Sequence, residues 1–501
     1  MLRSAALIIS GNALASILSL ARNLLVARLI TVENYGIAAT FAISIAVVEM
    51  LSALGLQAQI VQARDGNDAR LQAGLQGFQM FRGIISATLL FFLARPMAEF
   101  MGIGYVTWAF QILAVIPILN SLVHFDIYRM NRAMIYLPGI LSTTIPAFLS
   151  FLAIVPLFWI YGDYRVMLYA ILLQSVLTFV ISHAVAERKF RPILDRDIML
   201  RGLRFGWPIM INSAVLFAVF NGEKLIVGRE MGPSMLAIFA MGVTLTMTPA
   251  LVFAKSAQTF FLPRLSAVQD VQSQFAKLAV VTMQVAFAAG IALILGVVLL
   301  GESFVAVVLG EKYAALAPLM VWLAILNGIR ISKQGASDAA LSRARTVYSL
   351  IGNSFHVLTL PLSWYAAIQG ADLQTIVIIS IMGETMGLAV SMVLIRNRLL
   401  VPIAPMTLPV IAAAVVVLTA VVFAVWSDLP VLSGLPRYWA AVACVVASVV
   451  ALASLREAWA FLTGLSRPTD ASGSAAPDHT KVPEGDGGRD GSPLNSDRID
   501  Y

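Results

Sequence analysis

The chain has 501 residues, of which 59% are hydrophobic and 12% are charged, and its mean hydropathy is +0.86. Soluble domains carry about 25% charged residues, so this composition excludes a soluble globular protein and indicates an integral membrane protein. The net charge of +7 does not indicate nucleic-acid binding, because the basic residues lie in loops between apolar runs rather than in a soluble basic domain. A lone cysteine, Cys444, and four scattered histidines predict no disulfide, no metal site and no cofactor.

Apolar runs long enough to cross a bilayer give the predicted elements in chain order. The runs are continuous rather than alternating, which indicates helices and not strands. The runs near 105–123 and 314–331 are the weakest, because each is short or ends in polar residues. We expect an all-α integral membrane protein with fourteen transmembrane helices, at 5–29, 35–57, 73–94, 105–123, 136–160, 165–186, 205–228, 235–254, 277–300, 314–331, 347–368, 373–395, 405–426 and 436–457.

The positions of Lys and Arg predict the orientation of these helices. The loops on the side of the N-terminus hold most of the basic residues, including Arg330 and Lys333, whereas the opposite loops hold few. Basic loops stay in the cytoplasm, so both termini are expected there. The longest loops are expected at about 187–204 and 255–276. Residues 465–501 are rich in Ser, Gly, Pro and Asp, which predicts a disordered cytoplasmic tail.

One short pattern occurs twice, each time at the end of an apolar run. The first copy reads Arg22-Asn-Leu-Leu-Val-Ala-Arg28 and the second reads Glu223-Lys-Leu-Ile-Val-Gly-Arg229. A weaker echo matches Arg132 with Arg345. Internal repeats of this kind build two halves around a shared transport path. The repeat predicts a six-helix bundle at 1–190, a cytoplasmic linker at 191–204, a second six-helix bundle at 205–400 and an additional helix pair at 401–464.

The stretch from Arg22 to Ala42, together with Leu54-Gly55-Leu56 and Gln59-Ile-Val-Gln62, resembles the polysaccharide exporters (Wzx-like oligosaccharide flippases) of the MOP superfamily. In that family an Arg closes the first helix, and a turn with an acidic residue leads to Tyr/Phe-Gly in the second. The resemblance implies two pseudo-symmetric six-helix bundles that form a V around a central cavity. It also implies alternating-access flipping of polyprenyl-diphosphate-linked oligosaccharide from the cytoplasmic to the periplasmic face of the bacterial inner membrane. Implied partners are a polysaccharide polymerase and glycosyltransferases.

Basic and amide side chains inside the apolar runs are the candidates for substrate binding. A charge at mid-membrane costs several kcal/mol unless it faces water or a partner, and Arg suits bidentate contact with phosphate. We expect Arg22, Arg82 and Lys224, with Asn23 and Asn221, to line a cationic cavity that holds the diphosphate. The opposing interpretation is that these residues are structural ion-pair or hydrogen-bonding partners between helices.

The remaining ionisable residues lie either at the ends of the predicted helices or inside them. Arg28 and Arg229, at helix ends, are gate residues or snorkelling anchors. Glu49, Glu223 and Glu384 are candidates for coupling to H⁺ or Na⁺, because buried carboxylates can carry either. For Glu223 an ion pair with Lys224 is an equal alternative, and for Glu384 a hydrogen-bonded packing role.

Three other functions remain open from the sequence. They are a drug exporter of the MATE type, a lipid II flippase and a membrane-bound polysaccharide polymerase or ligase. The enzyme reading is disfavoured, because the predicted periplasmic loops are too short to carry a catalytic site. The sequence has no Walker A motif, so transport is not expected to be powered by the chain's own ATP hydrolysis.

Overall fold

The structure, a computed structural model, describes residues 2–426 and 438–466, with side chains from residue 14 to residue 461. Within these ranges the regular structure is entirely helical. The first helices are α1 (Leu2–Leu29), α2 (Val32–Leu51), α3 (Leu56–Gln62), α4 (Ala69–Phe100), α5 (Thr107–Leu113), α6 (Val115–Ser121), α7 (Asp126–Arg132), α8 (Leu137–Leu152), α9 (Ile154–Tyr161) and α10 (Arg165–Ala184). The predicted tail lies outside the described residues from 467 onward.

The second part of the chain contains the longest helices. They are α11 (Arg196–Glu230), α12 (Gly232–Ala267), α13 (Gln272–Phe304), α14 (Leu316–Ser342), α15 (Thr346–Ile368), α16 (Leu373–Leu399), α17 (Ala404–Ala424), α18 (Tyr438–Ala453) and α19 (Arg456–Ser466). Consecutive long helices run antiparallel. We call the end of the molecule where α1 begins the terminal side, and the end where α1 stops at Leu29 the distal side.

Each of the fourteen predicted apolar runs overlaps a helix or a pair of consecutive helices. In the described part of the chain, ten helices are long and apolar enough to span a membrane, and the pair α8–α9, bent by 40°, adds an eleventh. Helix α18 has 16 residues, fewer than a full crossing needs. The chain is therefore a multi-pass, all-α membrane protein, and the count of fourteen crossings stays a prediction.

The two predicted long loops are shorter in the structure. Helix α11 begins at Arg196 and not after 204, because the Asp195 side chain accepts hydrogen bonds from the backbone nitrogens of Asp197 and Ile198, at 3.0 and 3.3 Å, and so caps it. Helix α12 continues to Ala267 and α13 begins at Gln272, which leaves 268–271 as the connection. Sequence reasoning ended these helices at their charged residues, although polar residues extend the helices beyond the apolar region.

Helices α1–α10 form a first bundle and α11–α16 a second, and the two meet closely on the distal side. A Cβ on Gly36 of α2 would lie 1.8 Å from the carbonyl oxygen of Pro233 in α12, so only glycine allows this approach. Val26 and Ala27 of the first bundle and Leu236 of the second are fully buried in one shared hydrophobic core. The Tyr35-Gly36 pair noted in the sequence therefore lies at the joint between bundles.

The contact between α1 and α12 is not continuous along their length. Among the described side chains nearer the terminal side, Ile17 of α1 is 60% exposed and Val252 of α12 is 45% exposed. Helix α11 remains attached to the first bundle, since a Cβ on Gly206 would lie 2.3 Å from the Leu54 carbonyl oxygen. The two bundles therefore meet closely on the distal side, and α11 joins them on the terminal side.

The weaker sequence echo corresponds to a repeated helix ending. Met134 after α7 and Ala344 after α14 both have left-handed backbone, with φ of 63° and 56°. In each case the next residue donates its N–H to a carbonyl five residues back, to Met130 and to Ala340, both at 2.9 Å. This is the Schellman arrangement. The structural correspondence pairs Met134 with Ala344, a register three residues from the predicted match of Arg132 with Arg345.

Candidate functional site

A buried cluster of charged side chains lies inside the second bundle. The Glu384 carboxylate on α16 is fully buried and accepts hydrogen bonds from Arg330 Nε and Lys333 Nζ on α14, each at 2.7 Å. Arg330 and Lys333 were predicted to lie in a loop on the terminal side; this was wrong, because α14 continues to Ser342 and carries both side chains inward. Glu384 therefore holds two cations next to each other within the bundle.

His356 of α15 connects this cluster to α11. Its Nε2 lies 3.2 Å from Glu223 Oε1 and its Nδ1 lies 3.5 Å from Glu384 Oε1, and the ring is fully buried. The ion pair of Glu223 with Lys224 expected as one alternative does not form, because neighbouring residues on a helix point in different directions. Lys224 makes no hydrogen bond or ion pair with any described residue.

A cavity of about 810 Å³ lies beside the cluster, between α11, α12, α14, α15 and α16. Arg330, Lys333 and Glu384 lie in its wall, and the rest of the lining is largely apolar. Asn327 packs behind Arg330 and donates to Thr246 Oγ1 at 2.9 Å. Glu384 and Asp338 lie in the same wall and balance the formal charge of Arg330 and Lys333. An anionic group in this cavity would therefore be held by the remaining N–H donors of these two side chains and not by a net positive charge.

Asp338, one turn beyond Gln334 in the same wall, is a buried carboxylate without an ion pair among the described residues. It is 1% exposed, and its Oδ1 accepts a hydrogen bond from Gln334 Nε2 at 2.9 Å. Gln258 of α12 lies near this carboxylate, but Oδ2 forms no hydrogen bond of normal geometry with the described residues, and no basic side chain pairs with it. An acid in this position can accept a proton or bind a cation.

The predicted basic residues of the first bundle bind to neutral groups. Arg22 Nη1 donates to Gln174 Oε1 and, at 3.4 Å, to Ser150 Oγ, which fixes α1 to α10 and α8. Arg82 Nη1 donates to the Ser52 carbonyl oxygen at 2.9 Å. None of the carboxylates in the described part lies within ion-pair distance of either guanidinium.

The other polar candidates lie apart from one another. Glu49 accepts a hydrogen bond from Asn120 Nδ2 in the first bundle and lies near Arg82. Asn221 is 8% exposed in α11, and Asn23 is partly buried in α1. Arg22, Arg82 and Lys224 make no contact with one another and do not line the 810 Å³ cavity. Their shared role in substrate binding stays a prediction.

Arg28 and Arg229 each reach from one bundle to the other on the distal side. Arg229 Nη1 donates to the Phe100 carbonyl oxygen at 2.8 Å, at the end of α4. Arg28 lies against Gly310, after α13, where a Cβ would come within 2.2 Å of its Nη1. Because α4 and α13 are equivalent helices of the two bundles, the contacts are reciprocal. Contacts between the two bundles are ones that a gate would break, and the choice between the gate and anchor roles stays a prediction.

A second large cavity, of about 1000 Å³, is almost entirely apolar. Residues of α12 and α13 form most of its wall, and Leu20 of α1 and Trp459 of α19 close its sides. A hydrocarbon chain can lie in this cavity without losing its apolar surroundings.

Sequence reasoning missed Arg330, Lys333, Asp338 and His356. A signal was present, because Asn327, Arg330, Gln334 and Asp338 recur every three or four residues and so share one helical face. The predicted helix stopped at residue 331, which hid this stripe. His356 gave no signal, since its partners are distant in the sequence.

Comparison with known proteins assigns the chain to a family. Residues 25–318, more than half of the chain, match the family described as polysaccharide biosynthesis protein. The chain belongs to this family. It is 23% identical over 342 residues to the teichuronic acid biosynthesis protein TuaB of Bacillus subtilis, covering 64% of this chain and 67% of TuaB. It is 20% identical to the lipopolysaccharide biosynthesis protein WzxC of Escherichia coli, covering 68% of this chain and 69% of WzxC.

Solved structures confirm the MOP fold that the sequence resemblance implied. The lipid II flippase MurJ, in an inward closed conformation, superposes with a TM-score of 0.66 at 13% identity, covering 92% of this chain and all of MurJ. An inward-facing MATE family multidrug resistance transporter of the MOP superfamily has a TM-score of 0.59 at 16% identity, covering 77% of this chain and 94% of the transporter. The protein is a multi-pass membrane protein of polysaccharide biosynthesis with this fold.

Proposed function

We propose that the protein flips a polyprenyl-diphosphate-linked oligosaccharide, the repeat unit of a polysaccharide, from the cytoplasmic to the periplasmic face of the bacterial inner membrane by alternating access. The observation that carries the proposal is membership of the polysaccharide biosynthesis family. In this proposal the terminal side is cytoplasmic, and a cation gradient of H⁺ or Na⁺ drives the cycle.

The two cavities match the two chemical parts of such a substrate. The wall with Arg330 and Lys333 offers charge-assisted hydrogen bonds to a diphosphate, and the apolar cavity offers a path for a polyprenyl chain. Arg22, Arg82 and Lys224, with Asn23 and Asn221, would contribute when the bundles move closer. In this proposal the substrate is loaded from the terminal side while the close contacts on the distal side are in place.

A reconstituted assay tests the proposal directly. Full-length protein is placed in vesicles with a polyprenyl-diphosphate disaccharide that carries a dithionite-sensitive fluorophore on its sugar. Without flipping, external dithionite quenches only the fluorophores in the outer leaflet, which are about half of the total. Flipping brings the inner-leaflet fluorophores outside, so the quenched fraction rises well above half. Quenching that stops at the level of protein-free vesicles would disprove the function. A labelled lipid II and an organic-cation dye, tested in the same vesicles, distinguish the alternative substrates.

Lys333→Gln tests the role of the cavity. It removes one cation but leaves Glu384 paired with Arg330. Loss of a charge-assisted hydrogen bond should slow flipping about 10-fold with normal protein levels. Lys255→Gln, on the exposed surface of α12, is the matched control and should flip at the normal rate.

A further inference from the structure

A basic cavity of about 620 Å³ lies on the terminal side, where the segment between α10 and α11 crosses the start of α4. Its wall contains no acidic side chain among the lining residues. The polar side chains of the wall are those of Arg70, Arg188, Lys189, Arg191, His124, Gln72 and Gln76. The cavity is separate from both cavities of the proposed transport path.

The segment that carries these cations is held firmly. Asp126 at the start of α7 is fully buried and accepts hydrogen bonds from the backbone nitrogens of Glu187 and Arg188, at 2.9 and 3.0 Å. Farther along, the backbone nitrogen of Ile193 donates to the Ala73 carbonyl oxygen at 3.1 Å. Basic side chains on a fixed backbone bind a ligand without the cost of ordering a loop.

Most of the positive charge in this cavity is not neutralised. Arg70 pairs with Asp195 at 2.7 Å, but Arg188 donates only to uncharged oxygens, those of Gln72 and Asn67, both at 2.9 Å. Lys189 and Arg191 are exposed and make no ion pair or hydrogen bond within the described chain. Retention of loops by the positive-inside rule requires cations but not a concave wall of them.

His124 adds a hydrogen-bond donor to the wall. Its Nδ1 accepts from the Asp126 backbone nitrogen at 3.1 Å, so the proton of the neutral ring is on Nε2. Burial, with a contribution from His183, lowers the pKa of His124 and keeps the ring neutral. The Arg188 carbonyl lies near the ring, but Nε2 forms no hydrogen bond of normal geometry with the residues described.

From these observations we infer that the cavity binds a phosphate group, held by Arg188, Lys189 and Arg191 with a hydrogen bond from His124. An arginine fork and an ammonium together match the oxygens of a phosphate. The apolar side chain of Leu194, 71% exposed, stands beside the cavity. A basic site next to an exposed apolar residue at a helix end is where the phosphate headgroup of an anionic lipid can reach. Free phosphate has the same chemistry.

Binding of two probes to the full-length protein in neutral detergent tests this inference. One probe is fluorescent phosphatidylglycerol, and the other is radiolabelled inorganic phosphate in equilibrium dialysis. The variant Lys189→Gln with Arg191→Gln removes two exposed cations. For whichever probe binds, this variant should raise the dissociation constant about 30-fold, since each basic residue near an anionic lipid contributes about 1 kcal/mol.

The control is Arg396→Gln with Arg398→Gln, which removes two exposed cations from the last turn of α16, also on the terminal side. Selective weakening in the cavity variant supports the site. Binding of the lipid alone then identifies a headgroup site, and binding of phosphate alone a site for a soluble anion. If probe binding is weakened equally in the cavity variant and the control, or if neither probe binds, the inferred phosphate site is overturned. None of these outcomes depends on flipping.

Discussion

At the scale of single residues, Asp338 differs from Glu223 and Glu384 in having no basic partner. Glu384 is held by Arg330 and Lys333, and Glu223 by His356, so neither carboxylate is free to bind a cation without breaking an existing pair. Asp338 has no ion pair, has one oxygen without a hydrogen bond of normal geometry in the described chain, and lies in the wall of the cavity. It is therefore a better coupling candidate than Glu223 and Glu384, whereas Glu49, which is bonded to the neutral Asn120, stays a prediction.

Asp338→Asn should abolish the stimulation of flipping by a proton or sodium gradient, because an amide can neither take up the proton nor bind the cation as a carboxylate does. Flipping without a gradient should continue within about twofold. The measurement is the vesicle assay with and without an imposed gradient. Asp270→Asn, on an exposed connection, is the control. Full gradient stimulation in Asp338→Asn would reject this assignment.

At the scale of helices, the contact between α2 and α12 depends on Gly36. A Cβ there would overlap the Pro233 carbonyl oxygen, so Gly36→Ala forces the two backbones apart. We expect a loss of about 1–3 kcal/mol, the usual cost of overpacking, seen as a lower melting temperature in detergent. Gly296→Ala in α13 has no atom within 4 Å of the new Cβ and should be neutral or stabilising. Equal melting temperatures for both variants would show that the contact is loose.

At the repeated helix ending after α14, a substitution is expected to raise the stability and not to lower it. Ala344 holds a left-handed conformation that costs an L-residue about 1 kcal/mol, so Ala344→Gly should raise the stability by up to that amount. Ala414 has an exposed side chain and lies in the middle of α17. Ala414→Gly should instead lower the stability by about 1 kcal/mol. Denaturation of the two variants side by side gives the comparison, and a loss of stability in both would contradict the assigned backbone conformation.

Features that depend on local sequence were predictable, whereas the charged cluster was not. The pattern ending in Arg28 and Arg229 indicated the duplication, and the predicted start of the second helix at Tyr35 lies three residues after its observed start at Val32. Hydropathy, however, decreases at a charged residue whether that residue faces water or a buried partner. Helix α14 was therefore ended before Lys333, although Glu384, 51 residues away, neutralises it inside the bundle. The pairing of His356 with Glu223 likewise depends on how three helices pack.

At the scale of the whole molecule, the distal contacts of Arg28 and Arg229 should have to break in each transport cycle. In a Cys444→Ser background, the pair Arg28→Cys and Lys312→Cys, two residues in contact across the distal side, should stop flipping when joined by a bifunctional methanethiosulfonate, and a reducing agent should restore it. The same reagent across Arg95→Cys and Glu99→Cys, both on α4, is the control and should have no effect. Unimpaired flipping by the protein cross-linked between positions 28 and 312 would mean that the distal side need not open.

The close approach at Gly36 and Pro233 has a mechanical consequence. Helix α12 is 36 residues long, about 54 Å at 1.5 Å per residue, and this contact lies near its first turn. If the contact serves as a fulcrum, a rotation of about 10° moves the far end of α12 by about 9 Å, close to the diameter of a helix with its side chains. A shift of a few tenths of an ångström in the first turn of α12 thus corresponds to a shift of several ångströms at its last turn, on the terminal side.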